Sequence, residues 1–325
     1  MILNQDCIEG AKENIPDKSI DLLICDPPFG IDESSFGKHY FRDKEKVLDG
    51  YQEAPVDYLN FTRAWLEQAK RVLKDTGSLY IVSGWSNLDS ILIAAKELDL
   101  FYINHIIWKF NFGVNTKNKF VSSHYHILYF KKDKKSKVTF NKNCRFGDYE
   151  VNKNGGKLLY QDLEDVWNIK KDYCSGEIKN SNKLPNELVK KMILYSSNEN
   201  DKVCDFFLGN FTTAIVAKSL GRDAWGFEIN KLSCEYFIPI LNNTTFGYEL
   251  DNLRIPDLRK PVNQGKPLSE DEKTSILNSF DDLLKDNTKQ KTLEILIELY
   301  GRGRWSLERI IKNREPKELS EFFLS

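Results

Sequence analysis

The sequence is poor in the residues that build metal centres and disulfide frameworks. Its 325 residues include only four histidines and six cysteines, and no two cysteines have the C-x-x-C spacing of zinc or redox sites. His124 and His126 alternate on a predicted strand and so share a face. No further ligands accompany them, and we predict no metal. The cysteines are expected to be reduced, buried thiols.

Long apolar runs and an excess of one charge are also absent. No apolar stretch reaches membrane-spanning length and no signal-peptide pattern occurs, so we expect a cytoplasmic protein without membrane contact. Lys and Arg total 47 against 48 Asp and Glu, which gives a net charge of −1. Any binding of nucleic acid must therefore rely on locally placed charge. The content of 41% hydrophobic residues is sufficient for a large core.

Alternating apolar segments predict an α/β fold. Amphipathic helices are predicted at 57–73 and 87–98. Strands are predicted at 20–25, 78–83, 102–110, 125–130, 203–207 and 224–227. This alternation favours a doubly wound, largely parallel sheet with helices on both faces.

Asp26-Pro27-Pro28-Phe29 directly follows the first predicted strand. Two successive prolines hold the backbone extended, so the Asp26 carboxylate and the Pro27 carbonyl form a fixed pair of acceptors at the sheet edge. Such a pair suits the hydrogens of an exocyclic amino group. Phe29 could stack on the planar ring that carries the amine.

A second motif surrounds the predicted strand at 203–207. Gly209 follows this strand in a tight loop, a helix begins at Thr212, and Glu228 ends the next apolar stretch. A glycine loop permits close approach of a ligand, a helix N-terminus favours an anion, and an acid in this place accepts hydrogen bonds from ribose hydroxyls. The layout predicts a nucleoside-cofactor site, the alternative being a plain βαβ connection.

Together the two motifs resemble the amino-group DNA methyltransferases that use S-adenosylmethionine. Their order, catalytic motif first and cofactor motif last, is similar to the β class found in restriction–modification systems. The resemblance spans about residues 3 to 245 and implies a seven-stranded methyltransferase sheet with one antiparallel strand. Protein and RNA methyltransferases usually have the reverse order.

The resemblance also implies roles for individual residues. The catalytic residues would be Asp26, Pro27, Pro28 and Phe29, and the Asp-initial motif favours N6 of adenine over N4 of cytosine. S-adenosyl-L-methionine would be the cofactor and double-stranded DNA the substrate, with a homodimer and a cognate restriction endonuclease as further candidate partners. The cofactor-binding residues would be Asp6, Cys7, Asp205, Phe207, Gly209, Asn210, Thr212, Thr213 and Glu228.

Two positions depart from the family pattern. Phe211 replaces the second glycine of the cofactor loop, where a bulky residue resists a positive φ and fills space toward the cofactor. We expect either a reshaped loop or weakened binding, and weakened binding would make the protein a non-catalytic DNA-binding subunit. Leu184 precedes Pro185 where the family has lysine, and Lys183 lies one place earlier.

Residues 131–160 are the main candidate for DNA contact, with nine basic and three acidic residues. Lysine runs are often only solvated surface, but the family carries its target-recognition region here, at about 131–183 in this chain. The predicted DNA-binding residues are Lys131, Lys132, Lys134, Lys135, Lys142 and Arg145. The polar segment 30–55 is expected to be a lid or DNA contact, the alternative being a mobile surface loop.

The domain organisation follows from these segments and a change of character near residue 247. We expect a catalytic domain at 1–247, a proline-containing linker at 248–267 and a small helical domain at 268–325. The helical domain could serve as a DNA clamp or as a dimerisation or packing element.

Overall fold

The computed structural model describes residues 1–28, 56–111, 113, 117–172, 183–263 and 266–313. Phe29, the segment 30–55 and Cys174 therefore lie outside the described residues. None of the other five cysteines forms a disulfide within the described part of the chain; Cys7, Cys25, Cys204 and Cys234 are buried as expected, whereas Cys144 is partly exposed. No helix in the described ranges is both long and apolar enough to cross a membrane.

The described chain forms eight strands and ten α-helices. The strands are β1 (Ile2–Leu3), β2 (Ile20–Cys25), β3 (Leu73–Ser83), β4 (Phe101–Lys109), β5 (His124–Lys131), β6 (Val166–Asn168), β7 (Lys202–Asp205) and β8 (Asp223–Phe227). The helices are α1 (Cys7–Asn14), α2 (Tyr58–Val72), α3 (Leu88–Glu97), α4 (Leu158–Leu163), α5 (Asn186–Ser196), α6 (Thr212–Ser219), α7 (Lys231–Asn243), α8 (Glu270–Leu283), α9 (Lys289–Tyr300) and α10 (Arg304–Lys312).

The strands form one mixed sheet in the order β1-β8-β7-β2-β3-β5-β4-β6. Only β5 runs antiparallel to its neighbours among these eight strands. The predicted α/β fold with one antiparallel strand is thus confirmed, with eight strands rather than seven. The sequence did not predict β1 or β6, because two or three residues are too few to establish a period.

Helices cover both faces of the sheet. On one face, α1, α2 and α3 share a core with Leu23 and Cys25 of β2. The alternate residues Leu22 and Ile24 are equally buried, and α5 contacts β2 and β3. Because successive side chains of a strand point to opposite faces, burial of both sets requires helices on both sides.

The chain divides into two compact units whose boundaries differ from the expected ones. The first unit comprises Met1–Lys142 and Asp165–Leu253, and the second comprises Asn143–Glu164 and Arg254–Ser325. In the second unit the Arg254 guanidinium donates to Glu150 Oε2 at 2.9 Å. Sequence patterns are local, so they could not show that 143–164 folds with the C-terminal helices. Those helices share a core formed by Ile276, Phe280, Leu293, Leu296, Leu307 and Ile310.

Candidate active site

The two predicted motifs meet at one edge of the sheet. Asp26 follows β2, Asp205 ends β7 and Glu228 follows β8. These three strands are adjacent and parallel, with Leu23 beside Cys204 and Asp205 beside Gly226. Carboxyl ends of parallel strands lie at the same edge, which is where ligands bind in open α/β sheets.

Asp205 fixes the shape of the glycine loop. Its Oδ1 accepts a hydrogen bond from Phe207 N at 2.9 Å and its Oδ2 accepts one from Thr213 Oγ1 at 2.7 Å. Burial raises the pKa of Asp205 to about 7, against the lowering effect of these two hydrogen bonds. Both side-chain oxygens are engaged within the loop, so Asp205 connects the start of the loop to the helix that follows.

Glu228 fixes the loop from the neighbouring strand. Its Oε2 accepts from Gly209 N at 2.6 Å, and its Oε1 accepts from Asn230 N at 2.7 Å. Burial is the main cause that raises the pKa of Glu228. A carboxylate oxygen can accept two hydrogen bonds, so each oxygen of Glu228 has capacity for a hydroxyl donor.

The space next to Gly209 is open. The residue has a φ of +50°, and a Cβ added there would meet no atom closer than Phe207 O at 3.9 Å. The positive φ explains why glycine is favoured at this position, and the open space allows a ligand to approach the backbone. Asn210 continues the loop, and Thr212 and Thr213, both buried, begin α6.

Phe211 has a left-handed backbone, with φ 58° and ψ 19°. The expectation that a bulky residue would resist positive φ here was wrong. Its ring is fully buried and stacks on Phe237 at 5.7 Å, in a cluster whose other buried members are Leu208, Ala214, Cys234 and Leu241. Left-handed backbone costs about 1–2 kcal/mol, and burial of a Phe side chain contributes about 1.5–3 kcal/mol, so packing offsets the strain.

Asp6 and Cys7 lie at the start of α1, which follows β1 beside β8. The exposed Asp6 side chain caps the helix, since its Oδ1 accepts from Ile8 N at 2.9 Å and Glu9 N at 3.3 Å. Cys7 is buried in the main core, and burial raises the pKa of its thiol. Asn4, just before them, donates through Nδ2 to Glu228 O at 2.7 Å. Asp6 and Cys7 thus follow a segment that is bonded to the end of β8, with Asp6 engaged as a helix cap.

Among the three carboxylates at this sheet edge, Asp26 has the fewest hydrogen-bond partners. Its Oδ1 is inaccessible to solvent and has no hydrogen-bond partner among the described residues. Burial, followed by the charge of Asp205, raises the pKa of Asp26 well above its ordinary value, and the charge of Lys171 opposes the rise. An unpaired buried oxygen costs free energy unless a ligand supplies a donor. Pro27 is buried and Pro28 half-buried beside it.

The predicted DNA-binding residues divide into two groups. Lys131 Nζ donates to the carbonyls of Lys134 and Ser136, and Lys132 Nζ donates to Leu73 O at 2.7 Å, so these two lysines hold the segment after β5. Arg145, in the second unit, pairs with Asp162 at 3.0 Å. The exposed members of the set are Lys134, Lys135 and Lys142.

Sequence reasoning missed Lys171. Its Nζ lies over the rings of Trp108, Phe110 and Tyr125, and its charge acts on Asp26. These residues are far apart in sequence, and no local motif marks them. Only the order of strands in the sheet brings them together.

The fold and the site define a class of protein that binds a nucleoside cofactor beside a pair of hydrogen-bond acceptors. Comparison with known proteins narrows the class. The DNA methylase family model for N6 and N4 methyltransferases matches residues 20–239. The chain is 34% identical over 249 residues to the type II methyltransferase M.HinfI of Haemophilus influenzae, covering 70% of this chain and 64% of that protein. The chain belongs to the DNA methylase family.

Solved structures agree with this fold. A putative DNA modification methylase from Thermus thermophilus, complexed with S-adenosyl-L-methionine, has a TM-score of 0.54 at 17% identity, covering 75% of this chain and 93% of that chain. The PvuII DNA methyltransferase, which is cytosine-N4-specific, also has a TM-score of 0.54 at 17% identity, covering 79% and 94%. Similarity at this level of identity concerns the fold alone.

Proposed function

We propose that this protein is a site-specific DNA methyltransferase that transfers a methyl group from S-adenosyl-L-methionine to N6 of a flipped-out adenine. The observation that carries the proposal is the position of Asp26. Its unpaired Oδ1 lies at the same sheet edge as Gly209 and as Glu228, which accepts a hydrogen bond from Gly209 N. The acceptor pair and the cofactor loop are thus on adjacent strands. This is the arrangement that direct transfer between two bound molecules requires.

The residues of the loop fit the cofactor. Glu228 would accept hydrogen bonds from the ribose hydroxyls, and the open space at Gly209 would admit the ligand next to the backbone. Thr212 and Thr213 at the start of α6 would face the cofactor carboxylate, as a helix N-terminus favours an anion. Asp6, Cys7, Asp205, Phe207 and Asn210 would complete the surroundings of the site. When bound, the cofactor supplies an electrophilic methyl group on a sulfonium.

Asp26 and the Pro27 carbonyl would act on the target amine. By accepting hydrogen bonds from the two N–H groups of the amine, they would draw the nitrogen lone pair out of conjugation with the ring and direct it at the methyl carbon. A carbon–nitrogen bond would form as the carbon–sulfur bond breaks, its electron pair would stay on the sulfur of the thioether product, and the nitrogen would release a proton to the Asp26 carboxylate or to water. Alignment and placed dipoles supply the catalysis without a covalent enzyme intermediate. Phe29 stays the predicted stacking partner of the flipped base.

The choice of adenine rests on the Asp-initial motif, and N4 of cytosine is the second candidate. The family model covers both reactions, and one protein of similar fold is cytosine-N4-specific. Transfer of a labelled methyl group to mixed duplex DNA, followed by hydrolysis and mass spectrometry of the nucleosides, separates them. N6-methyladenine supports the proposal, and N4-methylcytosine replaces it.

A non-catalytic DNA-binding subunit is the alternative from another class. The sequence suggests this alternative through Phe211, whose side chain is buried against α7. Calorimetry with S-adenosylmethionine decides between the two functions. Absence of donor binding with retained DNA binding would favour the subunit.

Double-stranded DNA is the proposed substrate, contacted by the exposed Lys134, Lys135 and Lys142 and by other parts of the 131–183 region. A homodimer, a cognate restriction endonuclease and a cytoplasmic location stay predictions of the sequence. Titration of duplex DNA at several salt concentrations tests the lysine contacts.

A further inference from the structure

The Lys171 ammonium lies over a cage of three aromatic rings, formed by Trp108, Phe110 and Tyr125 of the first unit. Its Nζ is 4.6 Å from the ring centroid of Phe110, 5.0 Å from that of Tyr125 and 5.8 Å from that of Trp108. All three distances are within the range in which a ring face attracts a cation, about 6 Å. The rings also pack against one another, with centroids 5.1, 5.5 and 5.6 Å apart. The ring cage therefore holds the ammonium in a defined place.

The ring cage lies on the face of the sheet that α5 covers. The hydroxyls of Tyr80 in β3 and Ser196 in α5 are 2.7 Å apart, and the Tyr80 ring stacks on Tyr129 of β5. Tyr125 comes four residues before Tyr129, so strand alternation places both on one face. Trp108 lies directly beside Tyr125 in the pairing of β4 with β5. The cage is thus at the carboxyl end of β4, on the α5 side.

Asp26 lies at the same edge and on the same face as the ring cage. Ile24 of β2 is paired with Tyr80, and Asp26 comes two residues after Ile24. Alternation therefore carries the Asp26 side chain to the α5 side as well. In the sheet order β5 is two positions from β2, a separation of about 10 Å. A nucleotide spans a comparable distance from its base amine to its phosphates, so a nucleotide whose amine reached Asp26 would bring its phosphates near the cage.

The backbone on both sides of Lys171 is anchored. On one side, Trp108 Nε1 donates to Ile169 O at 2.8 Å. On the other side, Asp172 Oδ2 accepts from Asn186 N at 2.9 Å. Lys171 thus projects from a segment that is fixed to β4 and to the start of α5. A ligand of Lys171 would have little of this segment left to order, which lowers the cost of binding.

The Lys171 ammonium keeps its hydrogen-bond donors for a ligand. Among the residues that the structure describes, none accepts a hydrogen bond from its Nζ or forms an ion pair with it. Ring faces attract a cation without cancelling its charge, so the three N–H donors stay available. The side chain is half-buried, and a partly desolvated charge attracts an anion more strongly than one in bulk water. A compact ammonium of this kind suits a phosphate oxygen.

We propose that Lys171, held over the ring cage, binds a backbone phosphate that flanks the target nucleotide of the substrate DNA. The inference rests on the proposed function and adds a contact at the place of methyl transfer itself. Contacts to phosphates fix the position of DNA on a protein and carry no base information. Lys171 would therefore hold the flipped nucleotide in place whatever the surrounding sequence.

The salt dependence of duplex DNA binding tests the phosphate contact. In Lys171→Met, the slope of log affinity against log salt should be smaller by about one, because one phosphate contact is lost. Met packs well against aromatic rings, so the fold should be retained. Lys171→Gln serves as a second neutral variant, with circular dichroism confirming the fold. Lys171→Arg keeps the charge and should keep the slope.

Lys202→Met is the matched control. Lys202 Nζ lies 4.4 Å from the ring centroid of Trp225, so it too is a lysine held over an aromatic ring. It begins β7, and it therefore lies at the amino edge of the sheet, opposite Asp26. Its replacement should leave the salt slope unchanged.

An unchanged slope in the folded neutral variants would overturn the inference, even where affinity falls equally at every salt concentration. The measurement needs no methyl transfer, so it decides the role of Lys171 even if the wild type binds DNA without methylating it. A wild type that binds no duplex DNA would contradict the proposed function and this inference together.

Methylphosphonate linkages locate the phosphate. Each linkage replaces a charged phosphate oxygen by a methyl group and so removes the partner of the ammonium. At one of the two positions that flank the methylated base, the linkage should weaken binding to the wild type and have little effect on binding to Lys171→Met. Equal weakening of both proteins at both positions would overturn the inference.

Discussion

Glu228 Oε2 accepts a hydrogen bond from Gly209 N at 2.6 Å, across nineteen residues of sequence. The bond fixes the glycine loop against the end of β8, and the same carboxylate accepts from Asn230 N. One acid therefore both shapes the loop and offers acceptor capacity to a ligand. A change at Glu228 should affect cofactor binding more than the fold.

Glu228→Gln tests this directly. One oxygen is replaced by an amide nitrogen, which cannot accept a hydrogen bond, so the side chain loses either its loop contact or its proposed ribose contact. We expect affinity for S-adenosylmethionine to fall by about tenfold, the effect of roughly 1–2 kcal/mol for a hydrogen bond to a charged group. Calorimetry measures the affinity, and Glu235→Gln on the exposed surface of α7 is the matched control. Unchanged affinity in Glu228→Gln would contradict the role.

Thr213→Val tests the bond between α6 and Asp205. The substitution removes the hydroxyl that donates to Asp205 Oδ2 and should cost about 1–3 kcal/mol, because a buried oxygen loses its partner. It should also raise the pKa of Asp205 further, since that hydrogen bond lowers it. Thermal denaturation measures the loss of stability and carbon-13 NMR of the Asp205 carboxyl measures its pKa, while cofactor calorimetry shows whether the loop still binds S-adenosylmethionine. In Thr62→Val, which removes a buried hydroxyl from α2, cofactor affinity should be unaffected.

Phe211→Gly separates packing from cofactor binding. The glycine relieves about 1–2 kcal/mol of backbone strain but removes a buried ring, a loss of about 3–5 kcal/mol. The variant should therefore be less stable than the wild type in denaturant titrations. Affinity for S-adenosylmethionine should not improve, because the ring points into the α6–α7 cluster. A tighter-binding Phe211→Gly would show that the ring obstructs the cofactor.

His126 should make stability depend on pH. Burial, then the charges of His105 and His124, lower the pKa of His126 to about 4 from an ordinary value of 6.5. The neutral form is thus favoured in the folded state, so stability is full above pH 6.5 and falls as the pH drops toward 4. In His126→Asn this part of the pH dependence should be reduced. Identical slopes of melting temperature against pH in both proteins would contradict the shift.

Replacement of Lys134, Lys135 and Lys142 by glutamine tests the predicted DNA surface. Each lysine that contacts a phosphate contributes about one to the slope of log affinity against log salt, so the triple variant should lower the slope by up to about three. Binding should weaken for all DNA sequences alike. Fluorescence titration at several salt concentrations measures the slope. An unchanged slope would place the phosphate contacts elsewhere.

The sequence predicted the meeting of the two motifs because the carboxyl ends of parallel strands share an edge in an α/β fold, and because the resemblance to the amino-group DNA methyltransferases implies the sheet that brings the two motifs together. It could not predict the conformation of Phe211, which depends on packing against Phe237, or the position of Lys171 over the rings of Trp108, Phe110 and Tyr125. The count of charges in the sequence also predicted DNA contact for Lys131 and Lys132 just as it did for their exposed neighbours. Their ammonium groups are engaged by backbone carbonyls that a linear sequence does not reveal.

The buried Asp26 carboxylate should lower the free energy of unfolding of the protein. Because its pKa is raised in the folded state, the charged form destabilises the fold at pH values above that raised pKa. Asp26→Asn should therefore be more stable than the wild type near pH 8, and the gain should vanish as the pH falls toward the ordinary value of 3.8. Denaturant titration at two pH values measures it, with the exposed Asp165→Asn as control. A destabilised Asp26→Asn at pH 8 would contradict the burial argument.

The most direct test of the account combines two measurements on Asp26→Ala. Calorimetry should give an affinity for S-adenosylmethionine within about threefold of the wild type, and single-turnover methyl transfer to duplex DNA should fall by at least about 100-fold. This result would separate the acceptor side of the site from the cofactor side. Loss of both properties together in a folded protein, or transfer at the wild-type rate, would contradict the account.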